Sequence, residues 1–543
     1  MLEVLITLLL VHCVAVFLQR RGTPRHAKNF FFADFCALLF ASRLYLFFLA
    51  LFARPLVAGA LASLVVLLLA VVNAAKRAAL RDEPLLFSDV TLIRQVWDFP
   101  ELYLPFLPVR PILLVSLILL PILIILWQQS FVLPGLFQAA LLFFFLLIPL
   151  LFCSSSVRVF VRERIAAWLS SFQLTCTPRD ALTYGPFGAA LLHVLWHIVS
   201  RGKELGIRGP KEKPFAPLAW EKDTLEQMRT CTKSPLSLSL PDILLIQEES
   251  FCDPRVFLPE PLRAHSQNLL CEFDTMASEG HLSQLCVHAY GAYTMRTEYE
   301  VLTGIEAQYL GTDAFHPYWG CLVSPSWSIA QFLRGLGYRI VCVHPFDRRF
   351  FYRDRALPNL GFDEFIALDN FPNPRRFGPY VSDMAVADCV LHLLNERFAP
   401  LFCFVITMEN HGPWRADRFA FDSVSLPFEH SGLDPEVSRY LLHIQNCNAM
   451  LGYLRQKLMI RSTPSVVAVY GDHLPGLPSL IPKERISTPC LLWSSRHTLK
   501  PNFPSAFSPA ALGGFLLKLA ADACTGESRD THDLSTSHFQ RED

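Results

Sequence analysis

The chain has 543 residues, 52 % of them apolar, and a mean hydropathy of +0.33. It is too long for one ordinary core and too apolar for a wholly soluble protein, so a membrane portion is expected. Its 48 basic and 48 acidic residues cancel, so no global field points to a nucleic-acid partner, and function has to be sought in local sites.

The apolar runs are confined to residues 1–153. Leu2 to Phe17, Phe30 to Phe52, Leu56 to Val72, Ile112 to Trp127 and Phe131 to Phe152 each approach the roughly 17 to 25 residues that cross a bilayer. They predict a five-span α-helical membrane domain. The first run is short enough for a signal peptide, but it has no basic leader and no small-residue cleavage site, so it reads as an anchor. The following loop carries Arg20, Arg21, Arg25 and Lys28 without an acid, which by the positive-inside rule belongs in the cytoplasm. With five spans, that count would leave the C-terminal part cytoplasmic as well.

Residues 154–239 read as an interfacial helix and a linker. In 154–171, basic and apolar residues alternate in a way that suits a helix at a lipid surface, with Arg158, Arg162 and Arg164 near head groups and Trp168 at the interface. An ordinary solvated helix is the alternative. Residues 202–233 are polar and proline-containing and read as a surface excursion without chemistry.

Over residues 240–520 strand and helix patterns alternate, ahead of a polar tail at 521–543. Apolar runs at Ile243 to Ile246, Leu285 to His288, Ile340 to Val343, Phe402 to Ile406 and Val466 to Tyr470 are separated by amphipathic stretches such as Ser326 to Arg334, Ser382 to Arg397 and Glu436 to Leu458. That pattern predicts an α/β domain with a mostly parallel sheet and helices on both faces. In such sheets the reactive groups gather at the carboxyl ends of strands. Each run is followed by a candidate: Glu249, then Thr294, His344, His411, and Asp472 with His473.

Asp472 and His473 after a strand suit an oxygen and nitrogen pair closing on one cation with Glu249, although Gly471-Asp472 is also common turn chemistry. Strand alternation sends Glu248 to the opposite face. Thr294, in GAYTMRTEYEVLTG, becomes a credible nucleophile only if a metal lowers its pKa, and spacing alone leaves Thr297 and Thr303 open. His411, in TMENHGPW, either caps a loop or contacts a phosphate. Arg353, among Arg348, Arg349 and Arg355, is either a solvated base or a fork for phosphoryl oxygens. The set points to an enzyme acting on phosphate or sulfate esters.

Glu249 in QEESF, Thr294 in its glycine-bounded stretch, HPF with FFYRDR and LGF between His344 and Phe362, YVSDMAVAD from Tyr380, ITMENHGP from Ile406 and VYGDH from Val469 together resemble the lipoteichoic acid synthase family of the alkaline phosphatase and sulfatase superfamily, in particular its membrane phosphoglycerol transferases. The resemblance extends to Asn73, Lys76, Pro84 and Asp89 after the third span. It implies a divalent cation, typically Mn²⁺, held by Glu249, Thr294, Asp472 and His473. Thr294 is selected because the motif sets the nucleophile four residues before the glutamate matching Glu298. The same resemblance makes His411 a phosphate-binding catalytic histidine, Arg353 a head-group arginine, and His344 and Asp347 substrate contacts. Ala292 and Tyr293 stand where small glycines are usual, and Tyr352 stands for a common asparagine.

What the resemblance implies is transfer of phosphoglycerol from phosphatidylglycerol through a threonine adduct to a glycan or glycerol-phosphate acceptor, at a bacterial plasma membrane with the catalytic domain extracytoplasmic, against the loop-charge count. The competing readings are a phosphoethanolamine transferase, a sulfatase-like hydrolase, which lacks its CxPxR setting here, and a membrane scaffold with a degenerate hydrolase fold. The fifteen cysteines are odd in number and widely spaced without a CxxC pair, which indicates buried thiols rather than a disulfide framework.

Overall fold

Strands buried on both faces read as unbroken apolar runs, and the three clearest runs form the centre of an eight-stranded sheet. The computed structural model describes residues 2–22, 30–104 except 81–82, 87–88 and 91–92, isolated positions between 113 and 128, 132–200 except 152–154, 173 and 175–178, then 222–231, and 240–525 except 323–324, 397–398, 420–423, 483–485 and 497–502. The chain divides into two compact units, Met1–Phe215 with Ala307–Pro317, and Ala216–Glu306 with Tyr318–Asp543.

In the first unit, α1 (Leu2–Gly22), α2 (Phe30–Phe52) and α3 (Pro55–Ala79) pack on one another. Their shared core uses small residues, Ala15, Ala37, Ala41, Ala58 and Ala62, around Tyr45 and Leu49, which allows helix backbones to approach closely. The outward side chains are apolar, Phe31 and Leu2 being largely exposed. Phe31–Phe52 and Pro55–Ala79 are long and apolar enough to cross a membrane, and Leu2–Leu18 is a shorter apolar helix. Among the described residues, then, two of the five expected spans reach that length. The fourth run lies largely outside the described residues, and the fifth is the helix α4 (Gly135–Leu151). The chain leaves α3 through a polar knot, in which Lys76 Nζ meets Asp89 Oδ2 at 2.8 Å and Glu83 Oε1 at 3.1 Å, and Asn73 Oδ1 accepts from Leu85 N at 2.7 Å.

The helix expected at a lipid surface is α5 (Ser155–Leu169), and it corrects one reading. Arg162 is 8 % exposed and donates to the Val199 carbonyl of α6 (Arg179–Ser200). Helical spacing puts Arg162 on the same face as the buried Leu169, seven residues on, while Phe160 and Trp168 stay exposed.

In the second unit, α7 (Lys222–Cys231) stands inside the stretch read as a linker or surface excursion, and its buried Met228 lies on the face toward the C-terminal helix. The strands are β1 (Asp242–Glu248), β2 (His281–Cys286), β3 (Arg339–Val343), β4 (Glu364–Ile366), β7 (Leu401–Ile406), β8 (Ser465–Gly471), β9 (Ser487–Ser494) and β10 (Ala506–Phe507), in the order β10-β2-β9-β8-β1-β7-β3-β4. β5 (Arg376–Phe377) and β6 (Tyr380–Val381) form a separate hairpin. β8, β1, β7, β3 and β4 are parallel neighbours, whereas β9 runs antiparallel to both β8 and β2. The second run was expected at Leu285 to His288. Its strand instead ends at Cys286, half-exposed and outside the parallel block, eight residues before Thr294.

Side chains alternate across the central strands. Leu244, Ile246, Val467 and Val469 enter one apolar cluster with α8 (Cys271–Glu279), α12 (Asp383–Asn395) and α13 (Pro435–Met459). Gln247 and Tyr470 point to the opposite face, toward α9 (Thr294–Thr303). Helices α10 (Ile329–Gly335), α11 (Arg353–Asn359) and α14 (Pro509–Thr525) also belong to the unit.

Candidate functional site

The carboxyl ends of β1 and β8 lie side by side, with Glu248 opposite Gly471. The chains beyond them bring Glu249, Asp472 and His473 together, their ligand atoms all within 4.8 Å of one another and all three side chains buried. His473 Nε2 lies 3.2 Å from Asp472 Oδ2 and 3.6 Å from Glu249 Oε1. The Nδ1 of His473 faces the Leu474 carbonyl at 3.1 Å. A carbonyl only accepts, so Nδ1 carries the proton and the Nε2 lone pair is turned toward the two carboxylates.

Glu249 reaches this place because Ser250 turns the chain with φ 54°, and Ser250 N donates to Asp472 Oδ1 at 2.9 Å. The preceding Gly471 cannot be replaced, since a Cβ there would stand 2.1 Å from the Phe251 carbonyl oxygen. Burial pushes the Glu249 carboxyl well above its ordinary range, and neighbouring Asp472 adds to it. Burial also raises Asp472, while His473, the Ser250 N–H and the Thr294 hydroxyl act against that rise. Asp472 Oδ2 is buried without a hydrogen-bond donor. Two crowded carboxylates, one with an orphaned oxygen, beside an imidazole lone pair fit a divalent cation of the manganese or zinc kind.

Thr294 is the first residue of α9 and is 7 % exposed. Its predecessor Tyr293 takes a left-handed conformation, φ 67°, which is strained for an aromatic residue, and the Arg296 guanidinium lies 3.9 Å from its ring centre. Gly304 ends the helix with φ 69°, a position that favours glycine. The loop before Thr294 is fastened to the segment that follows Asp472 and His473: Tyr290 bridges to Leu474, and Gly291 N donates to the Leu474 carbonyl at 2.8 Å. The competing threonines are committed elsewhere, Thr297 to the Asp472 carbonyl at 2.7 Å and Thr303 to the Tyr299 carbonyl at 2.6 Å.

Arg353 is 1 % exposed and opens α11. It is held by Glu298, with Nη2 2.5 Å from Oε1 and Nε 3.1 Å from Oε2, and its Nη1 lies 3.3 Å from His344 Nε2. Glu298 also accepts from the Tyr318 hydroxyl at 2.6 Å and from Gln247 Nε2 at 3.0 Å, while Gln247 accepts from Tyr470 at 2.6 Å. Sequence reasoning used Glu298 only to count to the nucleophile and missed that it anchors this network, because its partners are scattered along the chain. His344 donates through Nδ1 to the Ile406 carbonyl at 3.2 Å, so its Nε2 is the acceptor for Arg353. Burial, reinforced by Arg353, holds His344 well below its ordinary pKa. Asp347 is occupied within its own loop by Arg349, through the backbone N at 2.8 Å and Nη2 at 2.7 Å, and Arg349 holds its carboxyl below the usual range.

His411 is half-buried after β7. Its Nδ1 lies 2.8 Å from the Gly412 carbonyl, so Nε2 presents a lone pair, and burial lowers its pKa to about 4. Asn410 ties this turn to the ligand cluster, donating to the Glu249 carbonyl at 3.1 Å while accepting from Trp414 Nε1 at 3.0 Å. Glu248 lies on the other face, as alternation requires, where its Oε2 accepts from Thr407 at 3.1 Å.

A sulfatase family model matches residues 241–520. The capsular polysaccharide biosynthesis protein RkpI of Rhizobium meliloti (strain 1021) is 30 % identical over 306 residues, which is 55 % of this chain and 51 % of RkpI. The chain spans about half the length of the curated relatives it matches. Among solved structures, the Streptococcus pyogenes phosphoglycerol transferase GacH in complex with sn-glycerol-1-phosphate matches at 21 % identity and TM-score 0.42, over 58 % of this chain and 90 % of GacH. The Listeria monocytogenes lipoteichoic acid synthase LtaP matches at 18 % and 0.42, over 55 % and 78 %.

Proposed function

The chain belongs to the sulfatase family, and on that premise we propose that it is a membrane-anchored phosphoglycerol transferase, taking phosphoglycerol from phosphatidylglycerol and passing it to a glycan or a glycerol-phosphate chain. The observation that carries this reading is Thr294 at a helix N-terminus beside the buried Glu249, Asp472 and His473. These four residues would hold the cation, taken as Mn²⁺ from the motif resemblance. When bound, it supplies a lowered pKa for the threonine hydroxyl and screening of phosphoryl charge.

Thr294 Oγ1 attacks the phosphorus of the donor, the bond to the diacylglycerol oxygen breaks, and that oxygen leaves with a proton. The threonine now carries phosphoglycerol. An acceptor hydroxyl attacks the same phosphorus, loses its proton and restores the threonine. The N–H groups at the start of α9 favour the negative charge of the transferred group. Arg353, its fork set by Glu298 and His344, adds a fixed positive charge. His411, neutral with its Nδ1 proton committed to Gly412, orients a hydroxyl by accepting its hydrogen through Nε2.

The apolar helices suit a lipid donor, because drawing its chains from a bilayer costs about 0.8 kcal/mol per CH₂. The polysaccharide role in the name of RkpI supports a glycan acceptor, and its place outside the cytoplasm is taken from the motif resemblance. Purified protein incubated with labelled phosphatidylglycerol and Mn²⁺ is expected to show a glycerol-phosphate adduct on the peptide containing Thr294, absent in Thr294→Ala. Label appearing only from phosphatidylethanolamine, or no adduct from either lipid, would overturn the assignment.

A further inference from the structure

One guanidinium grips the backbone on both sides of His411. Arg418 Nη2 donates to the Glu409 carbonyl at 2.7 Å and Nη1 to the Pro413 carbonyl at 3.1 Å, two residues before and two after the imidazole. The third arm, Nε, donates to His443 Nε2 at 2.7 Å. His443 therefore carries its proton on Nδ1 and donates a hydrogen bond from it to Glu409 Oε1 at 3.0 Å, closing a ring of hydrogen bonds around the turn. The Arg418 carbon lies 5.6 Å from the centre of the Tyr380 ring, and that ring meets the His411 imidazole edge-on at 5.7 Å. The turn is thus held along its backbone and against one flank of the imidazole.

We propose that Arg418 is a positioning residue that sets where His411 presents Nε2 to the reacting hydroxyl. It rests on the reading that His411 acts at the phosphoryl centre. Such a clamp matters because displacement of an orienting group by about 1 Å costs about 10²-fold in rate. A fork is needed for three acceptors lying in different directions, which an ammonium on one flexible stem satisfies only in part.

The test is a mutant cycle on the full-length, detergent-solubilised protein, read by Mn²⁺-dependent cleavage of bis(4-nitrophenyl) phosphate, with phosphatidylglycerol transfer in parallel. Arg418→Met is expected to lower kcat about 10²-fold while leaving KM and calorimetric Mn²⁺ affinity within about twofold. Arg418→Lys should recover part of the loss. In a His411→Ala background, Arg418→Met should cost almost nothing more, as residues acting through one another are non-additive. An equal loss in both backgrounds, wild-type rates in Arg418→Met, or loss of Mn²⁺ binding in both Arg418 variants would each overturn the proposal. Should the wild type cleave the aryl diester without transferring from phosphatidylglycerol, the donor assignment fails and the cycle still decides the role of Arg418. No wild-type cleavage of either substrate would sink both.

Discussion

His443 is fully buried between Arg418 and Glu409, and burial lowers its pKa from 6.5 to about 4. Between those values the unfolded chain binds a proton that the folded chain refuses, so stability is complete above about pH 6.5 and falls as the pH drops toward 4. The loss from this group is about 3 kcal/mol at the acid end, and His443→Gln should flatten that part of a denaturant midpoint against pH curve. His411 shares the lowered pKa, so the rate should show no limb near pH 6.5 from its titration. Glu249→Gln removes a charge from the ligand cluster without changing its size. Loss of an outer hydrogen bond to a ligand already costs 10- to 100-fold in metal affinity, so calorimetry should find Mn²⁺ binding weakened by more than about tenfold.

At the scale of elements, the buried Arg353–Glu298 pair joins α11 to α9, and thereby the proposed head-group arginine to the helix of the proposed nucleophile. Removing one partner leaves a charge stranded in the core, so Glu298→Gln should destabilise the protein by about 3 to 5 kcal/mol, read by denaturant unfolding with Mn²⁺ present. Replacing both residues by apolar ones should recover much of that. The central strands were legible because a strand covered on both faces carries an unbroken apolar run, as β7 does along its length and β1 and β8 do over Ile243 to Ile246 and Val466 to Tyr470. β9 escaped notice because Pro489 and the serines at its ends interrupt the pattern. The run read at Leu285 to His288 was misplaced because β2, next to the short β10, buries only alternate residues. Of the site, the residues directly after strands could be picked out by position. The partners that orient them, Glu298, Thr407, Asn410 and Arg418, could not, since their roles arise from pairings 50 or more residues apart or from the path of a loop.

For the whole molecule, the apolar side chains presented by α1 and α2, with Phe31 90 % exposed and Leu2 72 %, form a surface that the proposed membrane anchoring would cover with lipid. The full chain should stay with the membrane through a carbonate wash. If the proposed orientation holds, protease added to intact spheroplasts should cut the sheet-containing unit, and protection there with digestion in inverted vesicles would place it in the cytoplasm. The fastening of the Gly291 loop to Leu474 has a consequence for turnover. The loop before Thr294 and the segment after His473 are joined main chain to main chain, by bonds that side-chain rearrangement does not release. If the proposed transfer holds, room for spent lipid to depart and for a sugar to arrive has to come from a part of the site not joined in this way, such as the His411 turn, which is held by the side chains of Arg418 and Asn410.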